Sequence, residues 1–128
     1  MTQRELEQHR VLVVDDDPMV GEAVQRVLRA AYRVTFAQSA TGAIGRIQGG
    51  ARFEAIVCDL MMPGLSGFQL HAELLRLAPE LARRVVFLTG YAGSPEVEDF
   101  VRATGVRLLP KPFTRQELRA VVEDLVRG

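Results

Sequence analysis

Four aspartates, a threonine and a lysine occupy positions from which they could act together. Asp15, Asp16 and Asp17 follow the apolar run RVLVV, Asp59 follows AIVC, Thr89 follows VVFL, and Lys111 follows a run that ends at Leu109 and Pro110. If these runs are strands of one parallel sheet, the six residues lie at the carboxyl ends, where such sheets place their sites. Two carboxylates about 4 Å apart repel by roughly 4 kcal/mol at an effective dielectric of 20. Asp15, Asp16 and Asp59 therefore cannot all stay ionised together without a proton, a cation, or a metal and a lysine beside them. Oxygen donors alone suit a hard ion such as Mg²⁺, which keeps waters and partners phosphate. Lys111 adds a point charge able to reach a phosphoryl oxygen, and Thr89 adds a hydroxyl donor. A carboxylate nucleophile, a divalent ion, a lysine and a hydroxyl form a set for phosphoryl transfer to an aspartate.

The elements that must position them alternate along the chain. Residues 10–14, 32–37, 54–58, 85–88 and 106–109 are short apolar runs, rich in β-branched residues, that read as strands. Each is followed by a helical pattern. Asp17-Pro18 suits an N-cap with proline at the first helical position, and Val20, Val24, Val27, Leu28 and Ala31 then recur at helix spacing. Ser39 opens a short helix weakened by Gly42 and Gly45 and ended by Gly49-Gly50. Ser66 opens one marked by Leu70, Leu74, Leu75 and Leu77 and stopped by Pro79. Ser94-Pro95-Glu96 opens a fourth, and the capping box of Thr114 and Glu117 opens a fifth. That helix carries Leu118, Val121, Val122, Leu125 and Val126 on one stripe. Five strand–helix alternations imply right-handed crossovers and a parallel sheet covered on both faces, an α/β doubly wound fold with five helices.

Composition narrows the function. A chain of 128 residues is one domain's worth. Sixteen basic residues balance sixteen acidic ones, which removes the electrostatic basis for direct nucleic-acid binding. Cys58 alone cannot form an internal disulfide, and no Cys/His cluster has zinc-ligand spacing. The polar start, MTQRELEQHR, is not a signal peptide, and no apolar run approaches a membrane span. A cytoplasmic protein without membrane insertion is expected. Residues 1–10 read as a polar tail that includes His9, 11–126 as the domain, and 127–128 as its end. Asp17 reads as a helix cap only, Met61 and Met62 as loop packing, and Cys58 as a buried strand residue rather than a reactive thiol. Gly64 and Gly67 serve positive φ or close approach, and His71 lies on a polar helix face.

Four stretches, VLVVDDDP (11–18), VCDLMMPGLSG (57–67), FLTG (87–90) and LPKPF (109–113), resemble in order and spacing the receiver domains of two-component response regulators, the CheY-like group. The resemblance covers residues 10–126. It implies a flavodoxin-like sheet of order 2-1-3-4-5 and phosphorelay signalling, with Asp59 taking a phosphoryl group from a partner's phosphohistidine. It implies that Asp15 and Asp16 belong to the acidic pocket, Asp16 as a direct Mg²⁺ ligand, and that the main-chain carbonyl of Met61 is another ligand, with Mn²⁺ as a substitute ion. Thr89 would hydrogen-bond the phosphoryl group, Lys111 would pair with it, and Lys111–Pro112 would be cis. The implied partners are a histidine kinase or phosphotransfer protein and a downstream protein on the face of helix four, strand five and helix five, the chain itself being a monomer or weak dimer. The chain alone would not be an enzyme beyond its self-catalysed phosphorylation.

Three positions depart from the family's best-known pattern. The switch ring three residues before the lysine is replaced by Leu108, which resembles receivers attached to hybrid histidine kinases. Met61 and Tyr91, which by resemblance flank the path of the hydrolytic water, carry neither carboxylate nor amide, while Gly90 leaves the site reachable by a donor protein. Against an aspartate-nucleophile phosphatase stands Met61 in place of a second aspartate. Against an unphosphorylated pseudo-receiver stands the full set of Asp15, Asp16, Asp59, Thr89 and Lys111.

Overall fold

The computed structural model describes residue 2 and residues 8–128. Five parallel strands, β1 (Arg10–Val14), β2 (Arg33–Ala37), β3 (Ala55–Asp59), β4 (Val85–Thr89) and β5 (Arg107–Pro110), form one sheet in the order β2-β1-β3-β4-β5. The helices among the described residues are α1 (Pro18–Leu28), α2 (Ala40–Gln48), α3 (Gly67–Leu77), α4 (Pro79–Ala82), α5 (Pro95–Thr104) and α6 (Arg115–Arg127). Every residue of β3 and β4 is buried, as expected of central parallel strands covered on both faces.

Successive strand side chains point to opposite faces and so divide the core into two layers. Leu12, Val14, Ile56, Cys58, Val85 and Phe87 pack against α2, α3, α4 and α5. Val11, Val13, Val57, Val86 and Leu88 pack against α1 and α6. The α6 stripe read from the sequence is buried in full, from Leu118 to Val126.

The helix starts are held by the residues expected to cap them. Asp17, Ser39 and Ser94 each accept from a backbone N–H in the first turn of α1, α2 and α5. Thr114 and Glu117 form a reciprocal pair at 3.0 and 2.9 Å. Ser66 and Gln69 form a second capping box at the start of α3. Each such cap stabilises by about 1 kcal/mol.

Three expectations need correction. There are six helices rather than five, because Pro79 ends α3 and also starts α4. With no N–H it cannot extend α3, but its fixed φ suits a first helical position, and Leu81 and Ala82 are buried beneath that turn. His71 is not on a polar face. It follows Leu70 on the inner side of α3, 5% exposed, whereas Leu75 is 53% exposed. The carbonyl of His9, in the segment read as tail, accepts from the N–H of Arg33 at 3.0 Å. The rest of the expected tail, apart from Thr2, Gln8 and Arg10, lies outside the described residues. Strand boundaries move by a residue, most usefully at β3, which extends to Asp59 because that residue pairs with Leu88.

Two glycines lead to opposite outcomes on substitution. A Cβ on Gly67 would meet Leu60 Cα at 2.9 Å and the Phe87 ring at 3.0 Å, and the first contact is backbone that cannot rotate away. A Cβ on Gly45, inside α2, would meet nothing within 4 Å. Gly67→Ala should therefore destabilise by about 1–3 kcal/mol, and Gly45→Ala should stabilise by about 0.5–1 kcal/mol. Urea unfolding of both variants checks the opposed signs.

Candidate functional site

The register of the sheet determines what meets at its carboxyl edge. Val14 lies beside Cys58 and Thr89 beside Pro110, so Asp15, Asp59, Thr89 and Lys111 end up side by side at the ends of β1, β3, β4 and β5. Asp15, Asp16 and Asp59 each offer a carboxylate oxygen, and the three lie within 4.8 Å of one another. Asp17 stands apart. Its side chain accepts from Met19 and Val20 at the start of α1, as expected of a cap.

Asp15 is 2% exposed. Its Oδ1 accepts from the N–H of Asp17 at 2.9 Å, and its buried Oδ2 has no hydrogen-bond partner. Burial pushes its pKa from 3.8 up to about 6. The Asp17 N–H works against that rise, the Asp59 charge adds to it, Lys111 opposes it and Asp16 adds to it. Asp59, 8% exposed, is also raised, first by burial. Lys111 and the N–H of Met61 pull it down, and Asp16 pushes it up. Lys111 Nζ lies 3.5 Å from Asp59 Oδ1. One lysine thus faces three carboxylates, and burial has removed the water that would otherwise solvate two of them.

Thr89 is 1% exposed, and its Oγ1 accepts from the N–H of Tyr91 at 2.9 Å. A hydroxyl that accepts still has its own proton to donate. The Lys111–Pro112 bond is cis, as expected. Gly64 adopts φ +74° and Gly67 makes its close approach to Leu60, the two uses expected of them. Cys58 is wholly buried, its thiol donates to the carbonyl of Asp59 at 3.2 Å, and its pKa is pushed well up by burial. That thiol is no nucleophile. Met62 is buried, but Met61 is 44% exposed and Tyr91 63% exposed. Both line a hollow of about 260 Å³ with Ser94, Glu96 and Val97.

The donor set is all oxygen and carries a buried, unpartnered carboxylate oxygen. It fits a hard divalent ion, bridged directly or through the waters such an ion keeps. Sequence reasoning missed the main-chain donors. The N–H groups of Asp17, Met61 and Tyr91 hold Asp15, Asp59 and Thr89, and no side-chain pattern announces a backbone donor.

Residues 11–123 match the family described as the response regulator receiver domain. The response regulator MprA of Mycobacterium sp. (strain KMS) is 35% identical over 119 residues, covering 92% of this chain and 50% of that protein. The chain spans about half the length of the curated relatives of this group. The receiver domain of a sensor histidine kinase from Pseudomonas aeruginosa PAO1, solved with a magnesium ion coordinated in its active-site cleft, is 27% identical. It covers 94% of this chain and 98% of that one, with a TM-score of 0.80. The chemotaxis protein CheY4 of Vibrio cholerae is 29% identical with a TM-score of 0.79, covering 92% and 98%. No helix among the described residues is long and apolar enough to cross a membrane.

The raised pKa of Asp15 sets a pH dependence of stability. The native state holds the Asp15 proton more tightly than the unfolded chain does. The resulting stabilisation is complete below about pH 3.8 and is lost as the pH rises through about 6. Two units correspond to about 3 kcal/mol. Asp15→Asn keeps an acceptor for the Asp17 N–H and removes the charge. In the presence of a chelator it should be more stable than the parent by about 2–3 kcal/mol at pH 8, with the gain vanishing below pH 4. Denaturant midpoints at both pH values check this, and a gain independent of pH would exclude ionisation of Asp15 as the cause.

Proposed function

This chain belongs to the response regulator receiver domain family, and from that premise we propose that it takes a phosphoryl group from a partner's phosphohistidine onto Asp59. The observation that carries the reading is the convergence of Asp15, Asp16 and Asp59 within 4.8 Å, with Lys111 3.5 Å from the central carboxylate. In this reading Asp59 is the nucleophile, and Lys111 keeps its carboxylate ionised against the pull of burial. Asp15, Asp16, Asp59 and the main-chain carbonyl of Met61 would hold Mg²⁺ or Mn²⁺, which neutralises charge on the phosphoryl oxygens when bound. Lys111 then pairs with a phosphoryl oxygen, and Thr89 donates its free proton to another.

The phosphoryl group brings about two negative charges to a site already short of cations. The tie between Thr89 and Tyr91 offers an output route that needs no ring at Leu108. Tyr91 accepts from the N–H of Ser94 at 2.9 Å, and Ser94 caps α5. Movement of the Thr89 hydroxyl toward the phosphoryl group therefore bears on the start of α5. A downstream protein reading the face of α5, β5 and α6 would sense it. The donor is a histidine kinase or phosphotransfer protein. The likeness to a sensor kinase's receiver also favours a place within a hybrid kinase. We further infer a cytoplasmic setting and a monomer or weak dimer.

Treatment with a small phosphodonor and Mg²⁺ should add one phosphoryl mass to the protein and none to Asp59→Asn. Asp16→Ala should weaken metal binding and phosphorylation together, since it removes a ligand charge. A mass gain in Asp59→Asn would end the assignment.

The hydrolysis of the acyl phosphate tests a finer point. Met61 and Tyr91 share one hollow. A thioether and a phenol with a pKa near 10 orient and activate water poorly. Met61→Asn with Tyr91→Glu should shorten the phosphoryl lifetime by one to two decades, about 1.4–2.7 kcal/mol of barrier. Phosphate release from the purified domain measures it, and an unchanged rate would remove water access as the determinant.

A further inference from the structure

A cavity of about 370 Å³ lies at the end of the strands opposite the aspartates, where Val85 begins β4 and Arg107 begins β5. It opens between α3 and the end of α5, and its volume is that of a small-molecule site. His71 of α3 lines it and is 5% exposed. The rings of Phe87 and Phe100 meet His71 edge-on, at 6.2 and 5.6 Å between centroids. Aromatic rings of this kind satisfy neither imidazole nitrogen, and no side-chain hydrogen bond of His71 is seen among the described residues. Burial lowers its pKa, so the ring is neutral at pH 7 and has one N–H to donate.

The other ionisable residues of the lining are both cations, Arg83 before β4 and Arg107. Each is paired at the surface, Arg83 with Glu80 at 3.9 Å and Arg107 with Asp124 at 3.5 Å, and exposed pairs of this kind contribute little, so a ligand carboxylate can compete for both cations. The carbonyls at the end of α5 do not compete for these cations in full. The Thr104 hydroxyl donates to Phe100 O at 2.6 Å, and the Gly105 N–H donates to Val101 O. The remaining wall is apolar, formed by Leu75, Ala82, Val85, Ala103 and Val106. Leu75 stands 53% exposed there.

We propose that this cavity binds a small carboxylate with an apolar body, the carboxylate held between Arg83 and Arg107 and hydrogen-bonded by His71, the body covering Leu75, Val85 and Val106. The guanidinium fork matches a carboxylate in two parallel bonds. A bare inorganic anion would engage the cations and leave the apolar wall open. The cavity and the aspartates lie at opposite ends of the strands, so the two sites share no residue.

Titration of the full chain with benzoate, followed by NMR of the His71 ring protons and the amides of residues 103–107, tests this. Saturable shifts are expected with a dissociation constant on the order of 1 mM. Benzyl alcohol, of the same shape without the charge, should give none, and inorganic phosphate should bind at least about tenfold more weakly. Arg83→Gln and Arg107→Gln, both at exposed positions, should each weaken benzoate about five- to tenfold while the remaining spectrum is retained. No saturation by benzoate, equal shifts with benzyl alcohol, phosphate binding as tight as benzoate, or unaltered affinity in both arginine variants would each overturn the proposal.

Discussion

Asp15 and Asp59 are nearly inaccessible to solvent, carry like charge, and are held on neighbouring strands whose register places Val14 beside Cys58. Asp16 adds a third carboxylate within 4.8 Å. The local offsets are the Lys111 ammonium and the N–H groups of Asp17 and Met61, and they fall short. Both buried carboxyls remain above their ordinary pKa, Asp15 at about 6. The site therefore favours whatever brings positive charge, whether a proton or a divalent ion. A phosphoryl group would add negative charge and deepen the shortage that such an ion relieves.

Such a shortage persists only if the scaffold cannot relax it. The central strands are buried on both faces, and the two core layers fix their positions from opposite sides. The loop after β3 is held by the approach of Gly67 to Leu60, with the Gly67 N–H donating to the Leu60 carbonyl at 2.9 Å. Moving Asp59 away from Asp15 would require sliding β3 against β1. A one-residue slip would turn every inward side chain of β3 to the other layer. The repulsion is small beside that cost, so the carboxylates stay together.

Much of this was legible from residue types alone. The carboxylates, Thr89 and Lys111 end apolar runs, and the caps at Asp17, Ser39, Ser66, Ser94 and Thr114 announce helix starts by local hydrogen-bond chemistry that tertiary contacts do not override. What stayed hidden depends on packing. His71 is polar by type but occupies the inner side of α3, where Gly67, Leu70, His71 and Leu74 recur at i, i+3, i+4 and i+7. Its polarity suggests the outer side, but its spacing places it on the inner one. Pro79 reads as a stop because proline cannot continue a helix. That the next turn would be held by burying Leu81 and Ala82 is a long-range fact. The pairing of Thr89 with the Tyr91 N–H left no trace in the sequence, since every residue but proline offers that donor.

That last contact joins the site to the fold's periphery. Thr89 belongs to the fully buried β4, whereas Tyr91, two residues on, is 63% exposed. Between Thr89 and α5 run three successive hydrogen bonds. The Tyr91 N–H donates to Thr89 Oγ1, the Ser94 N–H donates to the Tyr91 carbonyl, and the Val97 N–H donates to Ser94 Oγ. Val97 is buried in the layer that also holds Phe87, and α5 further contributes Phe100 to the ring cluster around His71. β4 is buried on both faces, so the exposed segment after it has more room to take up a displacement of the Thr89 hydroxyl than the strand itself. The most exposed part of the path is thus the loop that holds the α5 cap. A leucine at position 108 suits this arrangement, because a route through backbone hydrogen bonds needs no side chain on β5 to change place.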